Sequence, residues 1–228
     1  VETDPVKVKV DAHLHDARML LTSIHMPIEN INGTLTFTED SIRSTPLSAK
    51  TLGYPIQGIM SSDSNSSRLL INGTTSVNQL QRQFSFLRDD SLKGNLAYQA
   101  DLQIPDDEQQ STRLIIDSTL QGVSLNSDSL IGKSADQARA LHINIQFADQ
   151  NLLPINLQYG EALQSALLYD KQQERLHSAH LVIGGNPANL MPQPGLKIEI
   201  KQPSFKLAEA IAALSHSDSR WPPLREVL

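Results

Sequence analysis

Alternation with a period of two runs through most of this chain. Val6, Val8, Val10, Ala12 and Leu14 interleave with Lys7, Lys9, Asp11, His13 and His15. Successive side chains of a strand point to opposite faces, so such a segment has one apolar and one polar face. The pattern recurs in Ile31-Gly33-Leu35-Phe37, in Leu96-Tyr98-Ala100-Leu102-Ile104 and in Leu141-Ile143-Ile145-Phe147. It appears again in Leu153-Ile155-Leu157-Tyr159 and in Leu196-Ile198-Ile200, and more weakly over 56–60, 68–75, 112–125, 162–169 and 176–183. Turn residues separate the runs at Glu39-Asp40-Ser41, Asp63-Ser-Asn65, Pro105-Asp-Asp107, Asp149-Gln-Asn151, Asp170-Lys171 and Gly184-Gly-Asn-Pro187. The spacers are short, which predicts antiparallel neighbours.

Two segments change period. Val77, Leu80, Phe84 and Leu87 fall at helical spacing behind Ser76, a residue able to cap. Leu207, Ala210, Ile211 and Leu214 do the same over Ser204–Leu214, and residues 215–228 read as a loop or linker tail. A faint echo links Ile31-Asn-Gly33-Thr-Leu35-Thr-Phe37 with Leu92-Lys-Gly94-Asn-Leu96-Ala-Tyr98, which suggests a strand unit used more than once. The predicted fold is mainly β, mostly antiparallel, with one or two short helices. A sheet apolar on one face must cover that face. It can pack on a second sheet, close into a barrel, or curl round an apolar partner that is not protein, and periodicity leaves the three open.

Composition narrows the chemistry. Over 228 residues, 25 Asp and Glu outweigh 19 Lys and Arg, for a formal charge of −6. That balance argues against nucleic acid as a partner. There is no cysteine, so disulfides, thiolate metal sites and a cysteine nucleophile are excluded. No apolar run reaches the roughly 18 residues that span a bilayer. The chain opens on Val1-Glu-Thr-Asp-Pro5, without a signal-peptide pattern, and reads as a piece of a longer or processed protein.

Sequence motifs for hydrolase elbows, phosphate loops, dinucleotide folds and zinc helices are absent. Asp11, His13 and His15 could share one strand face and meet a metal ion, but they equally continue the polar face begun by Lys7 and Lys9. His177 and His180 are poorly spaced for a strand-borne ligand pair. Residues 61–67 hint at a calcium loop yet lack its glycine and its terminal glutamate. Asn32 and Asn72 begin glycosylation sequons, which matter only in a eukaryotic secreted protein. Gly184-Gly185 could cradle an anion and reads more simply as a tight turn. A hydrolase would need two facing carboxylates, and Asp101 and Asp117 are the strand-borne acids to test first. The alternation phase sets Asp101 opposite the apolar row, which favours a solvated face. The chain is therefore read as neither an enzyme nor a binder of metal or cofactor.

Four stretches resemble the AsmA-like envelope proteins of bacteria, closest to the YhdP subgroup. They are Asn30-Ile-Asn-Gly33-Thr-Leu35-Thr-Phe37 through Leu52-Gly53-Tyr-Pro55-Ile56, then Gly94 through Ile104-Pro105. Next come Gly122-Val-Ser-Leu125 with Leu130-Ile-Gly132-Lys133-Ser-Ala135-Asp-Gln-Ala138-Arg139-Ala-Leu141, and finally Ile183-Gly-Gly185 through Pro192-Gln-Pro194-Gly195-Leu196-Lys-Ile198. They run in family order over about residues 28–210. Ala140 and Ile200 stand where the family often has Pro and Gly.

The resemblance implies a curved antiparallel sheet with an open apolar groove, in a periplasmic protein anchored in the inner membrane. It implies similarity to bridge-like proteins that move phospholipids towards the outer membrane, and it carries no catalytic residues. The expected reading is one elongated groove segment over 1–214, joined to neighbouring repeats of the same chain and lined for acyl chains. The lining residues would be Val8, Val10, Leu14, Leu35, Phe37, Leu96, Tyr98, Leu102 and Ile104. Leu141, Ile143, Ile145, Phe147, Ile155, Leu157, Leu196, Ile198 and Ile200 would continue it. The alternative is a β-sandwich that binds protein or glycan through loops such as 61–67 and 184–195.

Overall fold

The alternating segments become strands of one large mixed sheet. The computed structural model describes residues 8–62, 65–84, 87–88, 90–107, 109–126, 131–147, 151–185 and 187–201. Its first strands are β1 (Val10–Leu21), β2 (Met26–Phe37), β3 (Ile42–Ser44), β4 (Leu47–Thr51), β5 (Tyr54–Ser62) and β6 (Ser66–Ser76). A helix α1 (Val77–Gln83) precedes β7 (Leu92–Pro105), β8 (Thr112–Ser118) and β9 (Val123–Leu125). The last are β10 (Leu141–Phe147), β11 (Leu152–Tyr159), β12 (Leu163–Asp170), β13 (Arg175–Ile183) and β14 (Gly195–Ile200). Their order is β1-β2-β3-β5-β6-β7-β8-β10-β11-β12-β13-β14, with β4 beside β2 and β5, and β9 beside β7. The described strands belong to one hydrogen-bonded sheet. The helix expected over 204–214, the tail 215–228 and the turn residues Asp63 and Asp149 lie outside the described residues.

The chain divides into two compact units, residues 1–73 with 99–113 and residues 74–98 with 114–228. In the first, β1 and β2 form a long hairpin from Val10↔Phe37 to Leu21↔Met26, with register shifts between Leu14 and Met19. Asp16 and Asn30 sit at positive φ (47° and 51°), so the strands bulge there. Side chains satisfy the displaced backbone. Asn32 Oδ1 accepts from the Asp16 N–H at 3.1 Å, and Asn32 Nδ2 donates to the Asn30 carbonyl at 2.8 Å. The alternation of β1 therefore stops at Leu14 in sequence while the strand continues to Leu21.

In the second unit, β10 to β13 form an antiparallel meander. Asp170 closes the β12–β13 turn, its Oδ1 accepting from the N–H groups of Gln172 and Gln173, each at 2.9 Å. One expectation fails here: β14 lies parallel to β13, with Ala179 opposite Leu196 and Leu181 opposite Ile198. Between β13 and β14 the chain crosses back, so the sheet is mixed. The helix expected behind Ser76 is present, with the Ser76 hydroxyl accepting from the Gln79 N–H at 3.2 Å. It ends at Gln83, and Val77 and Leu80 pack on Leu96 and Val123.

Gly94 shows what an invisible constraint looks like. It lies within β7 at φ 117°, and a Cβ placed there would stand 2.0 Å from the Gly122 carbonyl oxygen. Its counterpart in the sequence echo, Gly33, also has a positive φ (145°) inside a strand and lies against Leu47 of β4. The echo thus has a backbone basis: each unit uses a glycine where another strand crosses close.

Candidate functional site

Cross-strand register assembles the alternating apolar residues onto one face in each unit. In the first unit Val10 stands opposite Phe37, Ala12 opposite Leu35 and Leu14 opposite Gly33. Phe37 is also opposite Ile42. Further along, Leu47 faces Gly58, Ala49 faces Ile56, Gly58 faces Ile71 and Met60 faces Leu69. The intervening pairs are mostly polar: Asp11–Thr36, His13–Thr34, Ser48–Gln57, Gln57–Asn72 and Ser61–Arg68. On that polar side Asn72 bonds Gln99, and Arg68 bonds Asp101. Ala100, Leu102 and Ile104 of β7 therefore lie on the apolar side.

The apolar residues of this unit are unevenly covered. Leu102, Ala100 and Ile56 are buried. Leu14, Leu35, Phe37, Met60, Leu69 and Ile71 are half-buried. Val8 and Val10 are 54% and 52% exposed, and Ile104 is 39% exposed. Sequence reasoning named the β1, β2 and β7 members. It missed Leu47 and Ala49, whose five-residue strand alternates too briefly to stand out, and it left β5 and β6 as weak candidates.

In the second unit three rows cross five strands. Ile145, Ile155, Leu167, Ala179 and Leu196 form one, and Ile143, Leu157, Ser165, Leu181 and Ile198 the next. Leu141, Tyr159, Leu163, Ile183 and Ile200 form the third. The sequence phase put Leu141, Ile143, Ile145, Ile155, Leu157, Leu196, Ile198 and Ile200 together, and the register does bring them together. Leu167, Leu176, Ala179 and Leu196 form a buried cluster, with Ile155, Tyr169, Leu181 and Ile198 packed against it. Leu96 is buried by α1 and Val123, while Tyr98 and Phe147 are half-buried.

The polar face is tied together by charge. Arg68 grips Asp101 through Nε and Nη2, both at 2.7 Å, and Gln103 adds a bond at 2.8 Å. These bonds, the Arg68 pair first, hold the Asp101 carboxyl below its ordinary pKa. Asp117 pairs with His142 at 2.8 Å. Each carboxylate offered for a hydrolase thus has a partner of its own. His180 is buried and accepts the Asn189 N–H at Nδ1 (2.9 Å), which assigns the proton to Nε2, 3.2 Å from Glu199. Lys197 lies 2.6 Å from Glu199 and is the main reason its carboxyl titrates low. The neighbouring His177 ring lies 3.1 Å from the Pro192 carbonyl and Ser178 donates to the Met191 carbonyl, so these side chains pin the crossover rather than bind an ion.

The metal reading at Asp11, His13 and His15 fails on geometry. Asp11 accepts from Thr36, His13 pairs with Thr34, and the bulge at Asp16 breaks the phase after Leu14. Among the described residues no group of three His, Asp or Glu side chains is placed to hold a metal ion.

The Gly132-Lys133 to Arg139 motif is also structural. Lys133 is buried, and its ammonium donates to the carbonyls of Leu120 and Val123. Burial pushes its pKa down. Arg139 donates to the Ile131 carbonyl at 3.2 Å and lies 4.8 Å over the Tyr159 ring, whose hydroxyl donates to the same carbonyl. The motif clamps the β9 loop to the β10–β11 pair. Among the described residues no helix is long and apolar enough to cross a membrane.

No curated protein and no solved structure gives a significant match to the chain. A family model described as YhdP protein matches residues 1–226 of its 228. That match covers nearly the whole length, and with it the ordered motifs resolve into one conclusion: the chain belongs to the YhdP family of AsmA-like bacterial envelope proteins, which is not a known enzyme family.

Proposed function

We propose that this chain is a periplasmic segment of a lipid conduit that shields phospholipid acyl chains on the apolar face of its sheet. The observation that carries the reading is the register of the first unit. It sets Val10, Leu14, Leu35, Phe37, Leu69 and Ile71 on one face while leaving them half-buried or exposed. Each methylene moved from water onto such a surface contributes about 0.8 kcal/mol. Dispersion contacts have no direction, so a chain can slide along them without a fixed pocket. The polar face, held by Arg68–Asp101 and its neighbours, meets water.

In this reading a parent protein anchored in the inner membrane places the segment between the two membranes. Neighbouring repeats of the same chain extend the surface, and transfer is passive. The buried rows of the second unit supply the rigid core, and the acyl chains lie mainly against the first.

Photo-crosslinking tests this. A benzophenone amino acid at Leu35 or Ile71 should capture phospholipid in intact cells, and the same residue at Thr36 or Asn72 on the polar face should not. Equal capture from both faces, or none from either, would count against the proposal.

A further inference from the structure

The tip of the β1–β2 hairpin is apolar on both of its faces. Met19 stands opposite Ile28 and Leu21 opposite Met26, while Leu20 and Pro27 form the pair between them on the other face. A 3-10 turn, Thr22–Ile24, closes the hairpin with His25 in the left-handed conformation (φ 49°). Hairpin tips in water are ordinarily built from Gly, Asn, Asp, Ser and Pro. Here Met19 is 40% and Leu20 53% exposed. The Met19–Ile28 and Leu21–Met26 pairs prolong the apolar row of the first unit to its end, and Leu20 adds an exposed apolar side chain on the opposite face.

Charge identifies what this tip meets. Residues 17–28 read Ala-Arg-Met-Leu-Leu-Thr-Ser-Ile-His-Met-Pro-Ile and hold no carboxylate, in a chain whose net charge is −6. Arg18 is exposed beside Met19 and is the residue of this stretch that carries a charge at pH 7. The nearest acids in sequence lie just beyond, Asp16 in the bulge and Glu29 opposite Lys50. An apolar tip flanked by an arginine suits the boundary between headgroups and acyl chains, where an arginine keeps its stem in the apolar layer and its head among phosphates.

We propose that the β1–β2 hairpin tip is a membrane-contact surface that inserts into an anionic phospholipid bilayer. The inference deepens the lipid-shielding reading by naming a surface through which the apolar row would exchange chains with a membrane, and it is separable from that reading by experiment. The whole chain is floated with vesicles of phosphatidylglycerol and phosphatidylcholine, and with phosphatidylcholine alone. The chain should float with the anionic vesicles and much less with the neutral ones. Leu20→Glu should weaken flotation about tenfold, the value of one buried leucine, and Arg18→Gln should weaken it on anionic vesicles only. Ile59→Glu places the same charge at another exposed apolar residue, 52% accessible in β5, and should leave flotation unchanged. Circular dichroism of each variant verifies the fold. Failure of the wild-type chain to float, equal flotation on neutral vesicles, or equal loss in Ile59→Glu would overturn the proposal. Phospholipid capture at Leu35 in the Leu20→Glu variant reads the shielding function separately, so either idea can fail alone.

Discussion

Replacing Gly94 by alanine should destabilise the second unit by about 4 kcal/mol, the sum of backbone strain and overpacking. The new Cβ would stand 2.0 Å from the Gly122 carbonyl oxygen, 3.0 Å from the carbonyl carbon and 3.0 Å from the Val123 Cα. All three are backbone atoms, of β9 and of the residue just before it, so no side chain can swing aside. The φ of 117° adds strain of its own. Gly53→Ala supplies the control. Gly53 also has a positive φ (80°), yet a Cβ there meets nothing within 4 Å. It should cost only about 1–2 kcal/mol, from the left-handed backbone alone. Urea midpoints of the two variants measure the difference. If Gly94→Ala costs no more than Gly53→Ala, the close approach of β7 and β9 is wrong.

The second large effect is expected at Lys133. Its ammonium is buried between the carbonyls of Leu120 and Val123. Lys133→Met keeps the stem and removes the donors. It should cost about 2–3 kcal/mol, because two buried acceptors then lose a charged partner. Lys93→Met, at an exposed site on β7, should stay within about 0.5 kcal/mol of wild type. Equal urea midpoints for the two variants would remove the clamp from the account. The family motif would then need a functional explanation in place of a structural one.

Much of the sheet was legible because a buried or half-buried face forces a period of two. The runs at 96–104, 141–147, 153–159 and 196–200 all lie in strands, and their phase matches the register. The helix behind Ser76 was legible because its cap is a local hydrogen bond. What escaped has identifiable causes. The bulges at Asp16 and Asn30 shift the phase of β1 and β2, so the alternation that marks Val10 to Leu14 does not mark the rest of that strand. Strands β3 and β4 are too short to show a period. Alternation carries no direction, so the parallel entry of β14 depended on the crossover and was invisible.

The candidate site was legible in the same partial way. The sequence named which side chains share a face, because that follows from phase. It could not say which of them other parts of the chain would bury. Leu196 and Leu102 alternate as cleanly as Leu35 does, yet they are buried and Leu35 is not. His180 shows the same limit: its partners Asn189 and Glu199 come from the crossover and β14.

The claim on which the functional reading rests is that hydrocarbon lies against the apolar face of the first unit. The absence of cysteine makes single-cysteine labelling clean. A bimane fluorophore is attached at Leu69, on the apolar face, or at its neighbour Arg68, on the polar face. Each labelled chain is then mixed with phospholipid brominated along its acyl chains. The account predicts strong quenching at position 69 and little at position 68. Equal quenching at the two positions, or none at 69, would contradict it.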